Sequence, residues 1–400
     1  MAINPQNRKS SRADPHPNPL PEGEGTIRIC FVTGTRAEFG LMRRVLEAIR
    51  SHPKLQLQMI VTGMHLDASR GLTARAVCED GWCVDAAVPW RRGDLASATG
   101  DAMAGIARAL DRLQSDIVLV VGDRVEAFAA GAAGHLGGRI VAHVHGGDRA
   151  LGTVDDSLRH AITKLAHIHF AATRDSANRI VKLGEGASRI HWVGAPGIDG
   201  IKEDAAALAR LDLNLRPKKF ALLVLHPADT GPRLEQRRAE LVFGAVKRVG
   251  FEKIVIVYPN NDPGADGIVR CWRRIDAKSE RFVVKRDLPR NAFLGLLKEA
   301  AVLVGNSSSG IIEAASFGTP VINIGPRQQG RLRSGNVLDV PYDGDRIFRE
   351  LDCIWNRGRP LRWRGRNVYG GQGTSGRIAR ILATLSPAIR ARMLRKLIAY

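Results

Sequence analysis

Long apolar runs are missing from this 400-residue chain. A membrane-spanning helix needs about 20 consecutive apolar residues, and even the run Ile117 to Val121 is soon interrupted by charge. No spanning helix is expected. Nor is a secretory leader, because Met1 to Gly25 has no apolar central region, and the expected location is the cytoplasm. Cysteine is scarce: Cys30, Cys78, Cys83, Cys271 and Cys353 are odd in number and form no CxxC pair. They signal neither a disulfide framework nor a cysteine-bound zinc, and read as reduced thiols. Aromatic residues make up only 5%, too few for base stacking, and no nucleic-acid module is recognisable. Nucleic acid is not the expected partner. Acidic residues are in deficit, 40 against 60 Lys and Arg, for a formal charge of +20. That excess is either a solvated basic surface or a means of drawing in an anionic small substrate.

What is present is an alternation of strand-length apolar runs with helical patterns, the signature of parallel, doubly wound α/β sheets. The length suits two such domains. The first spans residues 26–199, the second 200–375, and a basic helical tail covers 376–400. Residues 1–25, proline-rich and nearly without apolar side chains, form an extension expected to be disordered. In the first domain, strands are expected at Ile27–Val32, Leu57–Val61, Ile117–Val121, Ile140–Val144, His169–Ala172 and Ile190–Val193. Helices are expected at 37–51, 68–80, 98–113, 155–167 and 175–183. A second series begins at Phe220–Leu225 and continues through strands at 253–257, 282–284, 301–304 and 320–324. Its helices fall at 233–249, 290–299 and 311–317. Polar loops end the strands of both series, which places a cleft between two facing sheets.

The stretch from Gly122 to Lys164 carries the densest chemistry. Gly122-Asp123-Arg124 follows one buried-looking strand; His143-Val144-His145-Gly146-Gly147-Asp148 follows the next; Asp155-Asp156-Ser157-Leu158-Arg159-His160 opens a helix. Asp123, Asp148, Asp155 and Asp156 are candidates for proton transfer, since a cleft can raise one carboxylate and leave another ionised. At least one of Asp155 and Asp156 reads instead as an ordinary acid favoured at a helix N-terminus. His143 and His145 alternate on a strand and would share a face; with Asp148 and His160 they resemble a metal site, against which stands a hydrogen-bonded core role for His143. Gly305-Asn306-Ser307-Ser308-Ser309-Gly310 lies between a strand and a helix, where free N–H groups favour phosphate. Glu313 follows in the first turn, placed to accept from ribose hydroxyls or simply to complement the dipole. Thr33-Gly34-Thr35-Arg36 is a weaker turn of the same kind. His226 and Asn260 close strands of the second domain and face the same cleft.

Taken together, several segments resemble the hydrolysing UDP-N-acetylglucosamine 2-epimerases of sialic acid synthesis and their relatives in legionaminic-type sugar synthesis. They are Thr33 to Gly40, Val61 to His65, Gly122 to Arg124, His143 to Gly147, Asp155 to Lys164, Tyr258 to Asp262, and Gly305 through Gln328, in unchanged order. The resemblance implies a GT-B fold, two Rossmann-like domains clasping a UDP-sugar, with no metal and no cofactor. It implies inversion at sugar C2: UDP is eliminated to give a glycal, and water then adds. Asp123 and Asp155 take acid/base roles by this resemblance, with His145 and Asp148 beside them. Arg36, Arg124, His226, Asn260, Ser307, Ser308, Glu313 and Arg327 surround UDP. His145 stands where some relatives carry glutamate and others histidine, and Asp148 where the pattern usually has glutamate. The loop between Gly147 and Asp155 is similar to that of relatives whose sugar differs at C4 and C6, so UDP-N-acetylglucosamine and a UDP-diacetamido sugar both stand as substrates. A non-hydrolysing epimerase or GT-B glycosyltransferase, a metal-dependent hydrolase on His143, His145 and Asp148, and a sugar-nucleotide sensor without turnover are the competing readings. The expected assembly is a homo-oligomer, a dimer or tetramer.

Overall fold

The computed structural model describes residues 25–66, 74–90, 93–149, 155–228, 231–259, 262–275, 279–286 and 288–399, without the side chains of Ala76 and Asp155. The extension expected to be disordered lies outside these residues except for Gly25. Among the described residues, strands β1 (Ile27–Thr33), β2 (Leu55–Thr62), β3 (Ala86–Val88), β4 (Ile117–Val121), β5 (Ile140–Val144), β6 (Ile168–Ala171) and β7 (Ile190–Trp192) form one sheet. Its order is β3-β2-β1-β4-β5-β6-β7. Strands β8 (Phe220–Val224), β9 (Lys253–Val257), β10 (Phe282–Lys285), β11 (Val302–Gly305), β12 (Val321–Ile324) and β13 (Val337–Val340) form a second, ordered β10-β9-β8-β11-β12-β13. The paired strands run parallel throughout. The chain is thus α/β with two doubly wound domains of the GT-B type.

The strand runs are apolar on both faces because helices cover both. Ile29, Phe31, Ile117 and Leu119 enter one core, while Cys30, Val32, Val118 and Val120 point into another. The second domain repeats this with Ala221 and Leu223 on one side and Phe220, Leu222 and Val224 on the other. In each sheet the winding direction reverses between the first strand and the next one paired on its other side, β1/β4 and β8/β11. A crevice opens beyond the strand ends at such a point, and that is where ligands sit in open α/β sheets.

Several elements depart from the expected ones. The helix Val125–Leu136 shows no helical stripe in its sequence because it is buried nearly all round, Ala-rich and packed among other helices. Helices Ala265–Ile275 and Gly344–Trp355, and the short strands β3 and β13, were likewise not expected. The helix expected at 68–80 is described only over Ala74–Glu79. The helix expected from Ile311 starts earlier, at Ser308, and breaks at Glu313 into Ser308–Ile312 and Ala314–Phe317. Glu313 therefore sits at a joint, not in a first turn.

The two domains are held by an apolar cluster in which Ala172, Ala195 and Ile198 meet Leu294, Ile311 and Ile312. Beyond it the chain returns to the first domain: Ile378, Ala379 and Leu382 of the helix Thr374–Leu382, with Leu385, join the β1-side core.

Candidate active site

Asp123 sits directly beyond β4, at the reversal point of the first sheet. Its carboxylate is paired with Arg159, which projects from the helix Asp155–Leu165. Arg159 is almost wholly buried, and its Nη1 also donates to the His145 carbonyl oxygen at 2.9 Å. Burial, together with the nearby charge of Arg331, pulls its guanidinium down to about 9. Asp123 thus has a fixed cationic partner while remaining partly open, its side chain 22% exposed.

The two histidines part company. His143, on β5, uses Nε2 to donate to the Gly122 carbonyl oxygen at 2.8 Å, and its Nδ1 lies 3.3 Å from Thr163 Oγ1. Burial holds its imidazole neutral, down to about 3. It fastens the turn that carries Asp123 to the helix that carries Arg159. His145 lies one residue past the strand with a left-handed backbone, φ 64°, so the expected shared face does not form. His145 Nδ1 donates to Asp148 Oδ2 at 2.8 Å, leaving buried Nε2 without a protein partner. Asp148 also accepts from Ser176 Oγ at 2.6 Å. Burial opposes its charge, but the hydrogen bond and charge of His145 outweigh that and hold its carboxyl below the usual range. His160 pairs with Asp156 at 3.3 Å. With the ring nitrogens of His143 engaged and Asp148 tied to His145 and Ser176, the metal-site reading of this group fails on geometry. No cluster of three or more metal-ligating side chains occurs among the described residues.

A second ionic group flanks the first. Arg124 forms a two-pronged pair with Glu126, both contacts at 3.1 Å. Glu126 is buried against Gly34, where any Cβ would come within 2.7 Å of the Glu126 side chain. Thr35 and Glu38 close a reciprocal cap on the helix Arg36–Arg50, with Glu38 Oε2 accepting from Gly34 and Thr35 amides. Burial, opposed by Arg124 and aided by Glu126, pushes the Glu38 carboxyl up to about 7. Arg36 opens that helix and is exposed.

Across the cleft the strand ends of the second sheet are joined by an uncharged side chain, with ion pairs around it. Asn306, fully buried after β11, accepts from the His226 amide at 2.7 Å and donates to its carbonyl oxygen at 2.8 Å, joining the ends of β8 and β11. The approach is so close that Gly305, at φ 132°, would drive a Cβ to within 1.9 Å of Val224 O. Ser307 caps the helix that Ser308 opens, accepting from Ser309 N. Glu313 binds Arg290 at 2.6 Å through Oε1, leaving buried Oε2 without a protein partner; Arg290 also donates to Gly197 O at 2.6 Å, across the domain junction. Arg327 reaches the Asn306 carbonyl oxygen and Asp262. Asp262 in turn is near enough to Arg124 to favour its charge, linking the two walls. Asn260 lies outside the described residues, and of Asp155 only its place at the start of its helix is described.

Residues 47–383 match the model of the UDP-N-acetylglucosamine 2-epimerase family. The chain belongs to that family. A UDP-N,N'-diacetylbacillosamine 2-epimerase (hydrolyzing) of Legionella pneumophila is 37% identical over 385 residues, covering 93% of this chain and 99% of the relative. A UDP-N-acetylglucosamine 2-epimerase of Neisseria meningitidis serogroup B is 35% identical over 339 residues, covering 83% and 88%. The fold matches a Methanocaldococcus jannaschii UDP-GlcNAc 2-epimerase, solved with UDP-GlcNAc and UDP, at a TM-score of 0.75, 18% identity and coverage of 90% and 100%.

Glu126, Glu38, Arg290 and Ser176 contact residues of the candidate site and were passed over by reasoning from sequence. Glu126 falls three residues after Asp123, in a helix with no readable stripe. The signal available for it was a lone acid immediately before the Ala- and Gly-rich run 127–134.

Proposed function

We propose that this member of the UDP-N-acetylglucosamine 2-epimerase family is a hydrolysing enzyme, converting UDP-N-acetylglucosamine and water to N-acetylmannosamine and UDP. Asp123 carries the reading: a partly open carboxylate, paired with and aimed by buried Arg159, at the switch point of one sheet, with the helix-capping Ser307 at the switch point of the other. Asp123 or Asp155 takes the C2 proton, and the C1–O bond breaks with its electron pair leaving on UDP. Backbone amides at Ser307 to Ser309, with Arg36, Arg124 and Arg327, receive the diphosphate. Glu313 Oε2 accepts from the ribose, with His226 and Asn260 beside it. Water then adds to the glycal, its oxygen to C1 and a proton to C2 on the opposite face. His145 guides that water through Nε2, and Asp148 fixes the ring's tautomer. Support for the hydrolysing outcome comes from the Legionella relative's name. The same relative, matched along nearly its whole length, favours a second substrate reading, UDP-N,N'-diacetylbacillosamine, in the legionaminic-type route. The cytoplasm and an early step of sialic-acid-type sugar synthesis are the setting we infer, with a dimer or tetramer as the assembly.

Proton NMR in deuterated water with UDP-N-acetylglucosamine tests this. Free N-acetylmannosamine carrying deuterium at C2, alongside UDP, is the expected result. UDP-linked 2-epimer would refute hydrolysis, and reaction only of the diacetamido substrate would select the second reading.

A further inference from the structure

The helix Asp155–Leu165 supplies Arg159, yet no glycine ends it, and its last carbonyl oxygens are met from elsewhere in the chain. A helix leaves its final four carbonyls without intrahelical donors, at the negative end of its dipole. Lys396, 231 residues after Leu165, brings its ammonium to three of the oxygens there: Lys164 O at 2.6 Å, Ala166 O at 2.7 Å and Thr163 O at 3.4 Å. His135 Nδ1 donates to the fourth, Leu165 O, at 2.8 Å. Lys396 is also paired with buried Glu185 at 2.7 Å, and Glu185 binds Lys164 of the same helix turn at 2.7 Å and His169 of β6 at 3.2 Å. The tail is tied down on both sides of Lys396. Arg189 donates to Met393 O at 2.8 Å, and Ala399 N donates to Gly184 O at 2.8 Å.

From this geometry we propose that Lys396 is a positioning residue for the reaction: by capping the far end of the helix Asp155–Leu165 it holds Arg159, and through Arg159 the carboxylate of Asp123, in register. A second route runs the same way. Thr163, whose carbonyl Lys396 meets, lies against His143, and His143 grips the Gly122 carbonyl next to Asp123. The last residues of the chain thus act on the reacting end of a helix at whose opposite end they dock. For its effect on turnover the inference rests on the function proposed above; for its effect on the helix it does not.

The test compares full-length wild type with Lys396→Met and Lys396→Arg. Lys396→Met is expected to lower kcat about tenfold, since small misplacements of catalytic groups are costly, with the UDP dissociation constant within about twofold of wild type. Amide hydrogen exchange is expected to quicken in residues 159–166 and to stay unchanged in β8 and β11. Lys396→Arg, which keeps charge and donors, is expected to recover most of the kcat. Wild-type kcat and exchange in Lys396→Met overturn the proposal. So does a loss confined to thermal stability, with exchange in 159–166 unchanged. Should wild type itself show no turnover, the functional reading has failed, and the exchange result alone decides: quickened exchange upholds the cap, and unchanged exchange refutes it.

Discussion

The ends of the two sheets are built on one plan and differ in the chemistry at their centres. Beyond β4 and β5 stand Asp123, Arg159, His145 and Asp148, with the Arg124–Glu126 pair beside them, mostly ionic and partly or wholly buried. Beyond β8 and β11 the central groups are an amide and hydroxyls: Asn306 bonded both ways to His226, Ser307 on its cap, and Gln328 donating to Asn306 O at 2.9 Å. Ionic groups change protonation state and answer to burial, whereas amides and hydroxyls offer the same donors at any moderate pH. One wall is suited to moving protons and the other to holding a ligand still. The division follows from side-chain choice on a shared scaffold.

Substitutions on each wall break that division differently. The largest effect is expected for Asp123→Asn, with turnover reduced about 1000-fold, as for loss of a general base, and UDP affinity kept within about threefold. Single-turnover kinetics beside calorimetric UDP titration would check both halves, and unchanged turnover would remove Asp123 from its role. Arg159→Met is expected to cost turnover about 100-fold and to lower stability by about 3 kcal/mol, because it strands a carboxylate that loses its buried partner. Denaturant unfolding measures the second quantity, and adding Asp123→Asn to the same chain should return part of it.

On the opposite wall, Ser307→Ala with Glu313→Ala should weaken UDP binding about tenfold through lost hydrogen bonds, leaving saturated turnover within about threefold. A wild-type dissociation constant in that double variant would end the nucleotide-site assignment. The smallest effect concerns pH. Glu38 titrates at about 7 in the folded chain against an ordinary 4.5, so between those values the folded state keeps a proton that the unfolded chain releases. Stability must then fall as pH rises from about 4.5 to about 7. Glu38→Gln retains an acceptor oxygen for the Gly34 and Thr35 amides and should flatten this slope, adding about 1 kcal/mol above pH 7. Thermal unfolding across that range would reveal it.

Which of these residues could be read from the sequence depended on where they sit. Strands such as β4 and β5 declared themselves as strand-length runs rich in β-branched residues, and the polar residues at their ends, Asp123 and His145 to Asp148, were visible as a consequence. The partners were not. Arg159 meets Asp123 across 36 positions, and Ser176 meets Asp148 across 28; no local pattern encodes such pairings. The helix Val125–Leu136 hid because burial on all sides erases the periodicity by which helices are recognised. His145 was assigned to the wrong face because a residue with positive φ ends the alternation that β5 begins, and nothing in the side chain announces it. Glu313 was misplaced by one break in a helix.

The return of the helix Thr374–Leu382 into the first domain's core bears on how the protein is made. During synthesis the N-terminal sheet emerges early, while Ile378, Ala379, Leu382 and Leu385, which cover part of it, are still to be translated. The half that carries Asp123 therefore waits with an apolar face open until the second domain has been translated, and a nascent chain arrested within that domain cannot complete the first.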